Sequence, residues 1–129
     1  MNNKLLEQLS AARSVAVGGH VRPDGDCVGS CMGVYHYIKD NYPQTQVTVY
    51  LEEVPESYKI IRDTDRIVTD DSAEVYPDLF IAVDCSDKER LGKFAAYFDH
   101  AAKTICIDHH ISNPGYADEN IIFPQASST

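Results

Sequence analysis

At 129 residues the chain is the size of one domain, and a chain of that size buries roughly two-thirds of the surface its unfolded form exposes. It is 43% hydrophobic and 24% charged, a globular balance rather than a disordered or fibrous one. Eleven Lys and Arg stand against 20 Asp and Glu, and the formal charge of −9 argues against a broad grip on duplex nucleic acid or an anionic membrane, though not against a small phosphorylated substrate held through cations.

The first residues, MNNKLLEQLSAARS, place Leu5, Leu6, Leu9 and Ala12 on one helical face, and Glu7 interrupts any signal-peptide apolar region. No apolar run approaches the ~20 residues of a membrane span. Ser14 to Gly18 (SVAVG) predicts a buried strand that runs into a Gly/Pro/Asp-rich turn. Over 27–41, Val28, Met32, Tyr35 and Ile38 recur at helical spacing. Gly29 and Gly33 lie one turn apart, a spacing that lets a helix approach a sheet closely, and Pro43 stops it. Gln46 to Leu51 alternates as a strand, with Val47, Val49 and Leu51 on one face.

Pro55 to Arg62 is expected as a helix with proline in its first turn, and Arg66 to Thr69 as a short strand. Leu79 to Val83 (LFIAV) is continuously apolar, the pattern of a central parallel strand covered on both sides. Leu91, Phe94, Ala95 and Phe98 then share a helical face. Thr104 to Ile107 is another strand, and Asn120 to Phe123 the last. No repeat or flexible linker divides the chain. The alternation predicts an α/β fold, an open, mainly parallel sheet with helices on both faces. The closing PQASST segment adds no helix or strand, so the chain is expected to be a truncated part of a longer protein. Cys27, Cys31, Cys85 and Cys106 have no paired Cys-x-x-Cys spacing and read as reduced, partly buried thiols of a cytoplasmic protein.

Three expected strands deliver Asp or His at or just past their carboxyl ends. The first leads to His20, Asp24 and Asp26 in GGHVRPDGDCVGS, the central one to Asp84, and TICI to Asp108, His109 and His110. Ligands of open α/β sheets bind at that edge, so these distant segments should converge there. Two carboxylates ~4 Å apart repel by about 4 kcal/mol at an effective dielectric of 20. Four in one crevice must raise some pKa values or attract cations. Imidazoles among them favour Mn²⁺, Co²⁺ or Fe²⁺ over Ca²⁺, and the donors outnumber the needs of one ion. Taken singly, each feature is ordinary. Asp-Gly-Asp is a common turn, and a lone histidine at a strand end is more often solvated than a ligand. His36 and His100 receive no role for that reason, and Lys39, Asp40 and Asp87 to Arg90 read as solvated surface.

In their order, these motifs resemble the DHH phosphoesterase superfamily. The matching segments are His-x-x-Pro-Asp-Gly-Asp-x-x-Gly-Ser from His20 to Ser30, Val-Asp-x-Ser from Val83 to Ser86, and Asp108-His109-His110 with Ser112-Asn113 beyond. The wording at Asp24 to Ser30 is similar to the oligoribonuclease and phosphoadenosine-phosphate phosphatase branch. DHH-type inorganic pyrophosphatases usually carry Asp-Thr-Asp-Ser, and the sequence departs from them at Gly25.

The resemblance implies a Rossmann-like DHH domain with two Mn²⁺ ions, Mg²⁺ or Co²⁺ being substitutes. It implies that His20 and Asp24 hold one ion, that Asp26 and His109 hold the other, and that Asp84 bridges them. His110 would face the substrate phosphate, Asn113 would contact substrate, and Asp108 would act from the outer shell. The implied reaction is hydrolysis of short single-stranded oligonucleotides or 3′-phosphoadenosine 5′-phosphate by metal-activated hydroxide. Family members carry a further aspartate ligand and a carboxy-terminal substrate domain, both absent from residues 1–129, which would then be the amino-terminal part of a catalytic domain. The Ala-Ser-Ser-Thr ending resembles the lead-in to the helix before that later aspartate. Alternatives are a DHH pyrophosphatase or cyclic-dinucleotide phosphodiesterase, and a non-catalytic metal- or partner-binding fragment; a homodimer stays open.

Overall fold

A computed structural model describes residues 3–126. The start of the expected first helix, Met1 and Asn2, and the last residues of the Ala-Ser-Ser-Thr segment, Ser127 to Thr129, lie outside the described residues. The elements run α1 (Asn3–Ala11), β1 (Ser14–Gly18), α2 (Gly25–Asn41), β2 (Gln46–Tyr50), β3 (Leu79–Val83), α3 (Ala95–His100), β4 (Lys103–Asp108) and β5 (Glu119–Ile122). All five strands pair in parallel in the order β2-β1-β3-β4-β5.

The strand alternation sorts side chains into two cores. Val15 and Val17 of β1, Val49 of β2, Leu79, Ile81 and Val83 of β3, and Ile105 of β4 face α1 and α2, where they meet Leu5, Leu9, Val28, Met32, Tyr35 and Ile38. Ala16, Phe80 and Ala82 face the other way, against Leu91, Phe94, Tyr97 and Phe98. The sheet is therefore covered on both faces, and every residue of β3 is buried. Replacing Phe80, which is fully buried, by alanine should cost about 3–5 kcal/mol.

Helix α2 begins two residues before the apolar periodicity suggests. The Asp24 side chain accepts a hydrogen bond from the Cys27 N–H at 2.9 Å, so Asp24 is the N-cap. Gly29 and Gly33 do not mark a close approach, because a Cβ on either would meet nothing within 4 Å. The expected helix over 55–62 is only a 3₁₀ turn, Glu56–Tyr58. Ile60, the residue that would have extended its apolar face, is 91% exposed. The expected strand at 66–69 reduces to Val68, bridged to Tyr50, after a second 3₁₀ turn at Thr64–Arg66.

The helical face from Leu91 to Phe98 is real but broken. Lys88–Phe94 forms 3₁₀ turns, and Gly92 (φ +67°) kinks the chain before α3. A side chain there would run into the Glu52 carboxylate and Val21. The kink lets the Val21 N–H reach the Arg90 carbonyl at 2.7 Å and the Lys93 N–H reach Glu52 Oε2 at 2.8 Å, tying down the loop after β1. Among the described residues no helix is long and apolar enough to cross a membrane.

Candidate metal centre

In this strand order the chain winds in opposite directions from β1 and β3, and the carboxyl ends of these neighbours frame the crevice where open α/β sheets bind ligands. The loop after β1 supplies His20. The N-cap and first turn of α2 supply Asp24 and Asp26, the residue after β3 is Asp84, and β4 ends at Asp108 with His109 and His110 directly beyond. All seven meet at this one edge through the contacts below. His36 lies elsewhere, between the Arg62 carbonyl and Asp63, and His100 is stacked on Tyr76.

Asp84 is the centre of the group. It is 2% exposed, its backbone is left-handed (φ +56°), and its N–H is held by the Ile107 carbonyl at 2.9 Å. A left-handed non-glycine residue costs of order 1–3 kcal/mol, and such strain clusters at functional sites. One carboxylate oxygen, Oδ2, lies 3.5 Å from His20 Nε2; the other, Oδ1, lies 3.2 Å from His109 Nε2. His20 Nε2 also lies 3.7 Å from Asp24 Oδ1, and His109 Nε2 lies 3.1 Å from Asp26 Oδ2. Asp26 Oδ1 accepts from the Ser30 hydroxyl at 2.9 Å, which fixes that carboxylate on the first turns of α2.

Each histidine commits Nδ1 to an acceptor and turns Nε2 towards the crevice or solvent. His20 Nδ1 donates to the Val21 carbonyl at 2.7 Å, and His109 Nδ1 to the Ala126 carbonyl at 3.0 Å. His110 Nδ1 donates to Asp108 Oδ1 at 2.6 Å. Pinning one ring nitrogen in this way fixes the tautomer and is the usual support of a metal-binding imidazole. The donor set, Nε2 atoms and carboxylate oxygens, fits borderline divalent cations. Asp84, Asp108, His109 and His110 each place a ligand atom within 4.8 Å of all the others, as do His20, Cys27 and Asp84.

Without a cation, protons take up part of the negative charge. The Asp84 hydrogen bond raises the His20 pKa to about 9 against the opposing effect of burial, with help from the Val21 carbonyl. For His109, desolvation pulls the pKa down, but the Ala126 carbonyl and the Asp84, Asp26 and Asp108 carboxylates outweigh it and raise the value.

Asn113, expected as a substrate contact, makes hydrogen bonds within the protein. Its amide nitrogen donates to Asp108 Oδ2 at 2.8 Å and faces the Cys85 carbonyl and Cys106 Sγ, each at 3.4 Å. Its oxygen accepts from the Gly115 N–H at 2.7 Å. The amide is spent inside the protein, where it braces Asp108. All four cysteines are free and buried. Burial raises the Cys85 thiol to about 12 and raises Cys106 as well. Sequence reasoning passed over Cys27, whose sulfur belongs to the cluster with His20 and Asp84. Its placement shows only in the structure, where a side chain at Gly19 would collide with that sulfur.

The model of the DHH family N-terminal domain matches residues 14–129. A bifunctional oligoribonuclease and PAP phosphatase, NrnA, of Bacillus subtilis (strain 168) is 27% identical over 128 residues, 99% of this chain and 39% of that protein. A probable bifunctional oligoribonuclease and PAP phosphatase NrnA of Streptococcus mutans is 28% identical over 124 residues, 96% of this chain and 38% of that protein. The chain thus spans about two-fifths of the length of these relatives. An exopolyphosphatase-related protein from Bacteroides fragilis superposes with a TM-score of 0.87 at 22% identity, over 98% of this chain and 39% of its own, which establishes likeness of fold.

Proposed function

The chain belongs to the DHH family, and from that premise we propose that its acid–imidazole crevice is the two-cation centre of an Mn²⁺-dependent phosphoesterase. Its substrates are short single-stranded oligonucleotides or 3′-phosphoadenosine 5′-phosphate, in keeping with relatives that are oligoribonucleases and PAP phosphatases. The observation that carries the reading is the divided carboxylate of Asp84, with one oxygen facing His20 and the other facing His109. In this assignment His20 and Asp24 would hold one ion, Asp26 and His109 would hold the other, and Asp84 would serve both. Mg²⁺ or Co²⁺ suits the same donors.

When bound, two cations held by these residues would supply positive charge to a phosphoryl group and would lower the pKa of water there towards neutrality. The protein's own part is to hold the donors and the substrate. Asp108, buried and accepting from both His110 and Asn113, fixes the His110 ring with Nε2 directed away from the bond to Asp108. The His110 side chain is 40% exposed, so Nε2 is open to a phosphate. With a proton on both ring nitrogens, it donates through Nε2 a hydrogen bond to a phosphoryl oxygen or a proton to the leaving oxygen. The four free cysteines support a reducing, cytoplasmic setting. Residues 1–129 are the amino-terminal part of a catalytic domain, and a carboxy-terminal domain supplies the remaining substrate contacts.

The test is calorimetric titration of Mn²⁺ into the wild-type chain and Asp84→Asn, with release of mononucleotide from a short RNA followed in the full-length protein. Loss of both in the variant is the expected result. Unchanged Mn²⁺ binding by Asp84→Asn overturns the bridging role.

A further inference from the structure

The cluster of His20, Cys27 and Asp84 differs from the rest of the crevice in one donor, a sulfur. The three ligand atoms lie within 4.8 Å of one another, and all three residues are buried. Around a tetrahedral zinc the bonds are ~2.0–2.3 Å for nitrogen, oxygen and sulfur, so neighbouring ligand atoms sit roughly 3.3–3.8 Å apart. The present atoms, none more than 4.8 Å from another, reach those separations by closing about 1.5 Å or less.

The local architecture places that sulfur at the floor of the crevice. Cys27 belongs to the first turn of α2, whose start is fixed by the Asp24 cap. Its sulfur occupies the space over Gly19 that any side chain at that position would fill. As a packing residue alone, Cys27 would be one more member of the core with Val28 and Leu51. The mixed nitrogen, oxygen and sulfur set beside it is what a packing role leaves unused. Cys31, one turn further along α2, lies beside Cys27, whose hydrogen bond raises its thiol pKa, but is not in the cluster.

We infer that Cys27, with His20 and Asp84, forms a binding site for a single thiophilic divalent cation such as Zn²⁺ or Cd²⁺. The inference rests on the reading of the crevice as a metal centre and adds a soft ligand to it. Because the site shares His20 and Asp84 with the proposed Mn²⁺ position, a thiophilic ion there competes with Mn²⁺. Sulfur favours the softer ion, and zinc also lies above manganese in intrinsic affinity for such donors.

The experiment titrates CdCl₂ into the wild-type chain, Cys27→Ser and Cys31→Ser, and reads the ultraviolet sulfur-to-cadmium charge-transfer band, with MnCl₂ titrated in parallel by calorimetry. The expected result is a band saturating at one equivalent in the wild type, kept in Cys31→Ser and lost in Cys27→Ser. Cadmium affinity falls at least about tenfold in Cys27→Ser, and by a larger factor than Mn²⁺ affinity does. X-ray absorption of the zinc-loaded wild type should count one sulfur among nitrogen and oxygen neighbours, a reading that needs no variant. Retention of the band in Cys27→Ser, or no sulfur at the zinc, overturns the assignment. A wild-type chain that binds Mn²⁺ and gives no cadmium band faults the Cys27 site alone; one that binds neither ion faults the metal-centre reading with it.

Discussion

The two flanks of Asp84 use the same residue types under different solvent conditions. On the β1 side, the His20 side chain is 10% exposed and lies beside buried Cys27 and Asp84, while the Asp24 carboxylate at the rim is 63% exposed. On the β4 side, the His109 and His110 side chains are 19% and 40% exposed. Burial on the first flank strengthens each electrostatic contact and fixes geometry. The contrast is between two rings, buried His20 and half-exposed His110, and it is the exposed ring that a substrate can reach.

Removing the residue the flanks share should have the largest effect. Asp84→Ala is expected to lower Mn²⁺ affinity by at least about 100-fold, because its two oxygens face both imidazoles. Calorimetry against His36→Ala and His100→Ala, each expected to change affinity less than about twofold, measures the contrast. Equal losses in all three would erase the distinction between the crevice and the surface histidines.

His110→Ala probes the exposed ring alone. Turnover of a short RNA by the full-length protein should fall by about 10²–10⁴, the usual worth of a general acid or charge-stabilising group. Metal content, measured on the same preparation, should stay within about twofold. Loss of metal would move His110 from the substrate to the ligand set.

The ease with which these residues emerge from the sequence differs between fold and site. Leu79 to Val83 announces a central strand because burial on both faces leaves only apolar side chains. His20, Asp84 and the Asp108 to His110 run sit at strand ends, so parallel topology alone predicts that they meet. Loop segments resist such reading. Pro55 to Arg62 has helical composition, yet Ile60 points to water and only one 3₁₀ turn forms. The regular spacing of Leu91, Phe94 and Phe98 conceals the positive φ of Gly92, which answers to Glu52 and Val21 far away in sequence. Cys27 and Asn113 were opaque for a related reason. The placement of a thiol and the direction of an amide depend on neighbours brought by other elements.

The buried ring can also be tested through protons in metal-free protein. The folded-state pKa of His20 is raised from 6.5 to about 9, chiefly by Asp84. A raised value means that the imidazolium stabilises the fold fully below pH 6.5, and that this contribution is lost as pH rises through 9. The loss should amount to at most about 3 kcal/mol. Thermal unfolding in chelator at pH 6.5 and 9.5 should show the decline in wild type and a much smaller one in His20→Gln. An identical decline in both would place the pH dependence elsewhere.

The smallest expected effect comes from Asn113, which lies on the β4 side yet faces inward. Its amide nitrogen donates to Asp108 Oδ2, while Asp108 Oδ1 accepts from His110. The Asp108 side chain is fully buried, so Asn113→Ala leaves one carboxylate oxygen without that donor. A lost hydrogen bond to a buried charged group costs about 1.5–3 kcal/mol, here offset where the carboxylate turns further towards His110. A net destabilisation of about 1 kcal/mol in urea unfolding is therefore expected. Turnover should fall about tenfold or less, because His110 keeps its partner but loses rigidity, and Mn²⁺ affinity should be unchanged. If Asn113→Ala instead raised KM strongly with stability intact, the amide would be meeting substrate after all, and the inward hydrogen bonds would describe only the resting site.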